Sequence, residues 1–226
     1  MKKWDALPAT LKTEAVRPYY DILKAKPFSR MFKRLFDIFA SLILIILLSP
    51  VMLVIALWIK ADSKGPVFYK SVRVTAYNKD FKILKFRTMV QDADKKGALI
   101  TVSGDSRITR VGSKIRRCRL DEIPQLFNVL AGQMSFVGTR PEVRRYVDAY
   151  TPEMMATLLM PAGITSKASL AYRNEDEKMA ELTEKGISVD EAYLKHILPR
   201  KMKYNLSYIK EFNFLSDIFT CIKTVI

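Results

Sequence analysis

The sequence predicts an α+β protein that is mostly helical and has one segment inserted in a membrane. Residues 35–59 form a run of about 25 mostly apolar residues, which is long enough to enter a bilayer. Residues 67–74 and 81–86 alternate in polarity on either side of a turn, which is typical of a short antiparallel strand pair. Apolar residues at helical spacing recur through much of the remaining chain, which indicates helices.

The composition restricts the partners and sites that we expect. The 226 residues are enough for one domain with a hydrophobic core. The formal net charge of +15 favours acidic lipid, nucleic acid or phosphorylated substrates, without choosing among them. Cys118 and Cys221 are far apart and have no metal-ligand spacing, which fits a reducing cytosolic face. The single His196 argues against a histidine metal cluster or histidine-based catalysis.

The apolar run has a proline near its middle. Pro50 lacks an N–H group, so we expect a kink or break of the helix there, with the Ser49 hydroxyl bonded to the freed carbonyl. The two arms, 35–48 and 51–59, would measure roughly 21 Å and 14 Å, each shorter than the ~30 Å hydrocarbon core. The residues alone leave two interpretations equally open, a helix-break-helix hairpin that enters and leaves by one face and a kinked transmembrane span.

The flanks of the run are basic, with Lys33 and Arg34 before it and Lys60 after it, which favours a cytoplasmic location for both ends. Asp37 lies inside the run and requires a partner, for which we expect Lys33, Arg34 or the globular part of the chain. The run begins too late for a cleavable signal peptide, so we expect it to stay in the mature protein. Residues 1–32 form a polar extension that we expect to be a loosely packed surface arm.

Two adjacent carboxylates, Asp121 and Glu122, stand in a strongly basic segment of the chain. Apolar residues at helical spacing follow them, which predicts an amphipathic helix beginning at or just after Asp121, with Pro124 in its first turn. The helix N-terminus would favour negative charge. One acid could be a nucleophile kept ionised by nearby arginines, and the other a metal ligand or general acid/base. On this segment alone, the simpler interpretation of a helix cap is favoured.

Other segments predict local structure around these acids. Thr109 is expected to cap a helix that runs through Ile115, and residues 91–105 are expected to form a mobile loop. Residues 138–142 predict a turn that opens a helix, with Pro141 in the first turn. Residues 154–160 predict an apolar helical stretch that packs in the core or rests on lipid. The C-terminal segment has one apolar stripe, which leaves a membrane-interface helix and a core-facing helix equally open; its members are Leu215, Ile218, Phe219, Ile222 and Ile226.

Four segments of the chain carry a family resemblance. They read KRLFD at 33–37, KFRTM at 85–89, LDEIPQLFNVL at 120–130 and QMSFVGTRPE at 133–142. In this order the chain, from Lys33 onwards, closely resembles the bacterial sugar transferases, the small monotopic phosphoglycosyl transferases. The resemblance implies that residues 33–60 form the re-entrant hairpin and that residues 61–226 form a cytosolic transferase domain on the inner face of the bacterial plasma membrane.

The resemblance also implies a reaction and its site. A sugar 1-phosphate would pass from a UDP-sugar to polyprenyl (undecaprenyl) phosphate, with release of UMP, as a first membrane step of surface glycan assembly. Asp121 would be the nucleophile and would carry the phosphosugar, and Asp121 and Glu122 would position Mg²⁺. The substrate-binding residues implied by the resemblance are Lys85, Arg87, Arg116, Arg140, Pro141 and Thr165.

One segment departs from the common family pattern. The chain keeps Gly163, Ile164 and Thr165, but it has Ser-Lys-Ala-Ser at 166–169 where many members have Gly-Trp-Ala-Gln. This departure bears on the identity of the sugar donor more than on the reaction. The sugar, the glycan pathway and a homodimer stay open.

A second hypothesis is a membrane-anchored basic module that binds nucleic acid or an acidic polymer without catalysis. The net charge supports it, but the sequence contains no nucleic-acid-binding motif. We therefore expect UDP-sugar, polyprenyl phosphate and membrane lipid as partners, and no nucleic acid.

Overall fold

A computed structural model describes residues 1–91, 93, 105–172 and 174–225. Its longest element is helix α2, Pro27–Asp62, which has 36 residues and begins before the predicted start at Lys33. The helix is continuous through Pro50, so the expectation of a break is wrong, while a kink at Pro50 stays a prediction. Ser49 Oγ donates a hydrogen bond of 2.8 Å to the Ile46 carbonyl, which the missing Pro50 N–H leaves free. The predicted role of the serine is thus confirmed, and it explains why the helix continues.

Helix α2 has an apolar exposed surface over most of its length. Ile46, Leu47, Leu53 and Leu57 are each more than 60% exposed. It is the one helix in the described part of the chain that is long and apolar enough to cross a membrane. Near its C-terminal end the opposite face is buried and packs on the globular part, through Met52, Ile55 and Ile59. The helix therefore has one face that packs on the protein and one face without a partner among the described residues.

The predicted strand pair is confirmed. Strand β1, Phe68–Thr75, pairs antiparallel with strand β2, Lys79–Phe86, so that Tyr69 lies opposite Lys85 and Arg73 opposite Phe81. The turn between them contains Tyr77 and Asn78 in the left-handed region.

A second pair of strands was not predicted. Strand β3, Met134–Val137, pairs in parallel with strand β4, Ala162–Thr165. Both strands are short and mostly buried, so they have no polar alternation to identify them. The chain is tightly packed beside this pair, because a Cβ atom at Gly163 would lie 2.2 Å from the Gly138 nitrogen.

The remaining helices surround these strands. They are α1 (Arg17–Lys24), α3 (Arg110–Arg117), α4 (Gln125–Leu130), α5 (Arg144–Val147), α6 (Lys167–Ala171), α7 (Glu175–Glu184), α8 (Val189–Ala192), α9 (Leu198–Lys210) and α10 (Phe214–Val225). A π-helical segment, Tyr193–Ile197, joins α8 to α9. Short 3-10 turns occur at Trp4–Ala6, Ala9–Leu11, Ala76–Asn78, Leu120–Glu122 and Met154–Leu159. The last of these is buried, which confirms the predicted core position of residues 154–160.

The N-terminal segment is part of the main core. Leu11, Val16 and Leu23 are completely buried, in a cluster that also contains Leu159 and Phe212. The expectation of a loosely packed arm is therefore wrong, because Leu11, Val16 and Leu23 are spaced so that they face the domain. Most of the loop predicted at 91–105 lies outside the described residues.

Helix α10 turns its apolar stripe outwards. Leu215, Phe219 and Ile222 are exposed, whereas Asp217 and Thr220 are buried. The core-facing alternative is wrong for these three residues, and Ile226 lies outside the described part. An exposed apolar stripe is the arrangement of a helix that rests on a membrane interface.

Candidate active site

The two acids lie in a tight turn between two short helices. Helix α3 begins as predicted at Thr109, whose hydroxyl accepts a hydrogen bond of 2.9 Å from the Gly112 N–H. Arg119 then adopts a left-handed conformation, with φ of 54°, and the chain forms the 3-10 turn Leu120–Glu122. Helix α4 begins only at Gln125, so the prediction that it begins at or just after Asp121, with Pro124 in its first turn, is wrong. Pro124 lies immediately before α4, where its missing N–H is not needed.

Glu122 is the acid that contacts the basic residues. Its Oε1 atom lies 2.7 Å from Lys85 Nζ and 3.3 Å from Arg140 Nη2. Burial alone would raise the pKa of Glu122, but the charges of Arg140 and Lys85 outweigh it and lower the pKa to about 2. Glu122 is therefore ionised at any physiological pH.

Asp121 is buried, with 7% exposure, and it has no ion pair among the described residues. Burial raises the pKa of Asp121, and the charge of Glu122 adds to this, while Lys85 and Arg116 act in the opposite direction. Lys85 and Arg116 thus favour the charged form of Asp121, as expected for a nucleophile beside basic residues, but burial acts more strongly. Ionisation of Asp121 by its neighbours stays a prediction. Asp121 is the less engaged of the two carboxylates, which suits a group that must bond to an incoming atom.

The structure brings some predicted substrate-binding residues together and separates others. Lys85, Arg116 and Arg140 lie around the two acids, and Arg116 is in the last turn of α3. Pro141 follows Arg140 in a segment that belongs to no helix or strand, and the predicted helix opening at Pro141 is wrong because α5 begins at Arg144.

Two other predicted residues point their polar groups elsewhere. The Arg87 guanidinium donates hydrogen bonds to the Ser63 and Lys64 carbonyls at the C-terminal end of α2. The Thr165 hydroxyl lies 2.8 Å from that of Thr224 on α10. Both contacts hold the surrounding helices, and binding of substrate by these two residues stays a prediction.

A polar cluster beside Arg140 was missed by the sequence analysis. The Tyr193 hydroxyl donates to Glu142 Oε1, and Lys201 Nζ lies 3.8 Å from the same atom. Lys201 also lies 3.1 Å from Glu175 Oε2 and is only 4% exposed. These residues come from α7, the π-helical segment and α9, and no motif in the sequence connects them. Glu142 is near enough to Arg140 for its charge to add to that of Glu122 in raising the pKa of Arg140.

The carboxylates fit a magnesium ion. The described residues contain no group of three or more acidic, histidine or cysteine side chains that could hold a metal by themselves. Mg²⁺ is commonly held by one or two carboxylates together with water and substrate phosphates. Asp121 and Glu122 supply hard oxygen atoms of that kind, and Lys85 and Arg140 contact only Oε1 of Glu122.

Polar contacts attach the first half of α2 to the site elements. Lys33 Nζ donates to the Val137 carbonyl at 2.7 Å and to Asp217 Oδ2 at 2.6 Å. Asp37 Oδ1 accepts from the Ser135 hydroxyl and the Phe136 N–H, each at 3.1 Å. This confirms that Asp37 finds its partners in the globular part. The Tyr208 hydroxyl donates a hydrogen bond of 3.2 Å to Asp217 Oδ2. We call Lys33, Asp37, Ser135, Tyr208 and Asp217 the anchor cluster.

Both ends of α2 contact the elements next to the acids. Near its start, Arg34 donates to the Val129 and Leu130 carbonyls at the end of α4. At its end, Asp62 Oδ2 accepts from the Val111 N–H in the first turn of α3. Since α3 and α4 flank the turn that carries Asp121 and Glu122, the long helix is fixed on both sides of that turn.

Comparisons with known proteins agree with the geometry. The model of the family described as bacterial sugar transferase matches residues 28–226. A UDP-N-acetylgalactosamine-undecaprenyl-phosphate N-acetylgalactosaminephosphotransferase of Aeromonas hydrophila is 37% identical over 90% of this chain and 45% of its own length. A UDP-glucose:undecaprenyl-phosphate glucose-1-phosphate transferase of Klebsiella pneumoniae is 38% identical over 73% of this chain and 36% of its own.

A third relative is the exopolysaccharide production protein PSS of Rhizobium leguminosarum bv. phaseoli, which is 50% identical over 48% of this chain and 54% of its own length. The chain thus spans roughly half or less of the length of these three relatives. The family match covers almost everything after the N-terminal segment, including the whole candidate site. The chain belongs to the bacterial sugar transferase family.

Proposed function

We propose that the protein transfers a sugar 1-phosphate from a UDP-sugar to a polyprenyl phosphate, namely undecaprenyl phosphate, and releases UMP. The observation that carries the proposal is that the two adjacent acids have different surroundings. Glu122 is ion-paired and ionised, whereas Asp121 is buried, unpaired among the described residues and surrounded by cations. The names of the relatives from Aeromonas hydrophila and Klebsiella pneumoniae support the two substrates.

The reaction proceeds in two displacements. The Asp121 carboxylate attacks the phosphorus atom that carries the sugar, and the bond from that phosphorus to the bridging oxygen breaks, so that UMP leaves with the electron pair. A phosphate oxygen of the lipid then attacks the same phosphorus, and the Asp121 carboxylate leaves. The products are polyprenyl diphosphosugar and UMP. Two steps at one nucleophile allow two bulky anions to use one site in turn.

The basic residues stabilise the charge that develops during both steps. Lys85 and Arg140 lie within hydrogen-bond or ion-pair distance of Glu122, and Arg116 is near enough to Asp121 for its charge to lower the pKa of that carboxyl. Cations that already converge beside the acids need little movement to reach the phosphoryl oxygens and stabilise their charge. Asp121 and Glu122 would hold Mg²⁺, which when bound neutralises charge on the diphosphate and on the departing UMP.

Attachment of α2 on both sides of the acid-bearing turn supports a re-entrant membrane insertion. A helix of 36 residues would extend about 54 Å if straight, and the ends of a straight span would emerge on opposite sides of a bilayer. Instead, Arg34 and Asp62 contact neighbouring elements of one domain. We propose that the apolar middle of α2 enters the cytoplasmic leaflet of the plasma membrane and returns, which would set the acids near the lipid headgroups.

The reaction is tested by UMP release from a panel of UDP-sugars. Detergent-solubilised protein with Mg²⁺ is assayed with and without undecaprenyl phosphate. We expect release that requires the lipid, varies with the sugar and vanishes in Asp121→Asn. No release with any donor from folded protein would contradict the proposal, and salt-sensitive retention of nucleic acid would then favour the basic-module hypothesis, which the family assignment leaves without support.

The insertion is tested by cysteine labelling in intact cells. Single cysteines placed before Pro27 and after Asp62 should both be protected from a reagent that cannot cross the membrane, because both ends lie in the cytoplasm. In Pro50→Ala the helix gains an N–H and should straighten towards a span, so that the N-terminal cysteine becomes labelled. An N-terminus that stays protected in both forms would contradict the role assigned to Pro50.

A further inference from the structure

Arg73 lies on the face of the strand pair that leads to the candidate active site. Alternate residues of a strand share a face, so Tyr69 and Arg73 project to the same side of β1. Tyr69 lies opposite Lys85, which holds Glu122, and residues directly opposite in an antiparallel pair also share a face. Arg73 and Lys85 are therefore two cations on one surface of the hairpin.

The backbone next to Arg73 is joined to the segment that carries Arg140. The Val74 N–H donates a hydrogen bond of 2.9 Å to the Glu142 carbonyl. The Glu142 side chain is already bound by Tyr193 and lies close to Lys201, and Arg140 already contacts Glu122. The acids near Arg73 are thus committed to other partners.

The Arg73 side chain is half-buried, and its guanidinium has no hydrogen bond or ion pair to any residue that the structure describes. Burial lowers the pKa of Arg73, and the charge of Arg140 adds to this, although Glu142 acts in the opposite direction. A guanidinium remains charged in proteins, so this cation is held in a partly desolvated position without a direct partner. Such an arrangement is unfavourable unless an anion completes it.

We propose that Arg73 is a substrate-binding residue. It would bind one phosphate group of a substrate, in addition to the phosphate group that Lys85 and Arg140 would bind. This inference rests on the proposed function, since it concerns the substrates of the same site. The planar fork of a guanidinium matches two phosphate oxygens. The phosphate belongs either to the nucleoside diphosphate of the donor or to the polyprenyl phosphate, and both present the same chemistry to Arg73.

The experiment compares Arg73→Met with Arg73→Lys and with Lys70→Met. Lys70 is exposed on the opposite face of the same strand, so Lys70→Met removes one positive charge from the hairpin without touching the site. Rates of UMP release give KM for the UDP-sugar and for undecaprenyl phosphate separately. Calorimetry with UDP measures binding without turnover, and thermal unfolding checks that each variant is folded.

We expect Arg73→Met to raise one of the two KM values about tenfold or more, because the variant loses a charge-assisted hydrogen bond to the phosphate. Arg73→Lys should fall between it and the wild type, because a lysine keeps the charge but cannot bind two oxygens in a plane. Lys70→Met should match the wild type. A raised donor KM with weaker UDP binding assigns the donor phosphate, whereas a raised lipid KM with unchanged UDP binding assigns the acceptor.

The inference is overturned if folded Arg73→Met matches the active wild type in both KM values and in UDP affinity. Failure of the proposed function has a different signature. A wild-type protein that binds UDP but releases no UMP would contradict the reaction, while weaker UDP binding by Arg73→Met would still support Arg73 as a phosphate ligand. Loss of binding in Lys70→Met to the same extent would show an effect of net charge and would also overturn the inference.

Discussion

Two buried charge clusters in this protein contain similar groups in different surroundings. The anchor cluster and the candidate active site each have two carboxylates and a lysine. In the anchor cluster the paired side chains of Lys33 and Asp217 are 6% and 4% exposed. At the site the cations that hold Glu122 are more open, with Lys85 at 23% and Arg140 at 38%. The anchor cluster is thus sealed by protein, whereas the site can exchange its partners with an incoming anion.

The difference shows how similar residues serve attachment in one place and chemistry in another. Lys33 and Asp37 are bonded to the backbone of β3, so their positions are fixed by secondary structure. Asp121 has no such ion pair or fixed partner among the described side chains. A low local dielectric strengthens a satisfied pair and penalises an unsatisfied group. Substitutions in the anchor cluster should therefore reduce stability, and substitutions at the site should mainly reduce activity.

The largest expected effect is the loss of activity in Asp121→Asn. UMP release should fall by roughly 10³-fold or more, because the nucleophile is removed. Burial already disfavours the charged form of this carboxyl, so the melting temperature and membrane association should not fall. Asp80→Asn, at an exposed ion pair with Arg144, is the matched control. Appreciable residual turnover in a pure preparation would remove Asp121 from the role of nucleophile.

The next largest effect is the loss of stability in Lys33→Met. Removing the lysine leaves Asp37 and Asp217 buried without their cation, which should cost about 3–5 kcal/mol. Thermal unfolding should shift down by roughly 6–20 °C, while an exposed lysine at the other end of α2, changed in Lys60→Met, should have little effect. A melting temperature within 1 or 2 °C of the wild type, about the scatter expected of surface changes, would contradict the role of the anchor cluster.

The pH dependence of Lys33→Met gives a second check. Burial raises the pKa of Asp217, which outweighs the attraction of Lys33, so the folded state takes up a proton more readily than the unfolded state. Protonation of Asp217 therefore stabilises the fold as the pH falls through the raised pKa. Without Lys33 the pKa should rise further. The difference in melting temperature between Lys33→Met and the wild type should therefore shrink as the pH is lowered from 8 to 5. A difference that grows over this range would contradict the role assigned to Lys33 and Asp217.

A smaller effect is expected in the pH profile of Glu122→Gln. Activity of the wild type should fall at low pH as Asp121 takes up a proton, at a pH above the ordinary value for aspartate. Glu122, with a pKa of about 2, stays ionised throughout. Glu122→Gln removes a negative neighbour and frees Lys85, so the acid limb should move to lower pH. The rate should also drop, by roughly 10–100-fold, if Glu122 positions the metal.

In Glu122→Gln, the direction in which the acid limb of the pH profile moves, taken with the melting temperature, distinguishes a changed Asp121 pKa from a general loss of structure. A partly unfolded site would bring the Asp121 pKa towards its usual value but would also lower the melting temperature. Profiles of kcat/KM between pH 4 and 8, with melting curves at each pH, distinguish the two. An acid limb that moves to higher pH would contradict the assignment of Lys85 and Arg140 to Glu122.

The smallest effect is expected in the middle of α2. Ser49→Ala removes the hydrogen bond to Ile46 and should cost about 1 kcal/mol. In Pro50→Ala the new N–H can bond to the same carbonyl, so the additional change Ser49→Ala should then cost much less. A double-mutant cycle tests this, with melting curves of the wild type, the two single variants and the double variant in detergent. An equal cost of Ser49→Ala in both backgrounds would contradict the role of the serine.

Local patterns were enough to predict several parts of this molecule. The alternation of β1 and β2, the Thr109 cap and the serine that serves the carbonyl freed by Pro50 all depend on residues close together in the chain. The motifs around Asp121 and Glu122 identified the family in the same way. Local chemistry is the same wherever the segment packs, so the sequence alone determined these features.

The tertiary structure decided which groups meet. Lys85 and Arg140 pair with Glu122 rather than with Asp121, and Tyr193 and Lys201 reach Glu142 from distant helices. The parallel pair of β3 and β4 and the burial of the N-terminal segment also join residues far apart in sequence. A periodic pattern reveals which face of an element is apolar but not which element will cover it. The choice of partner depends on packing in three dimensions, and that packing assigns different roles to two adjacent acids.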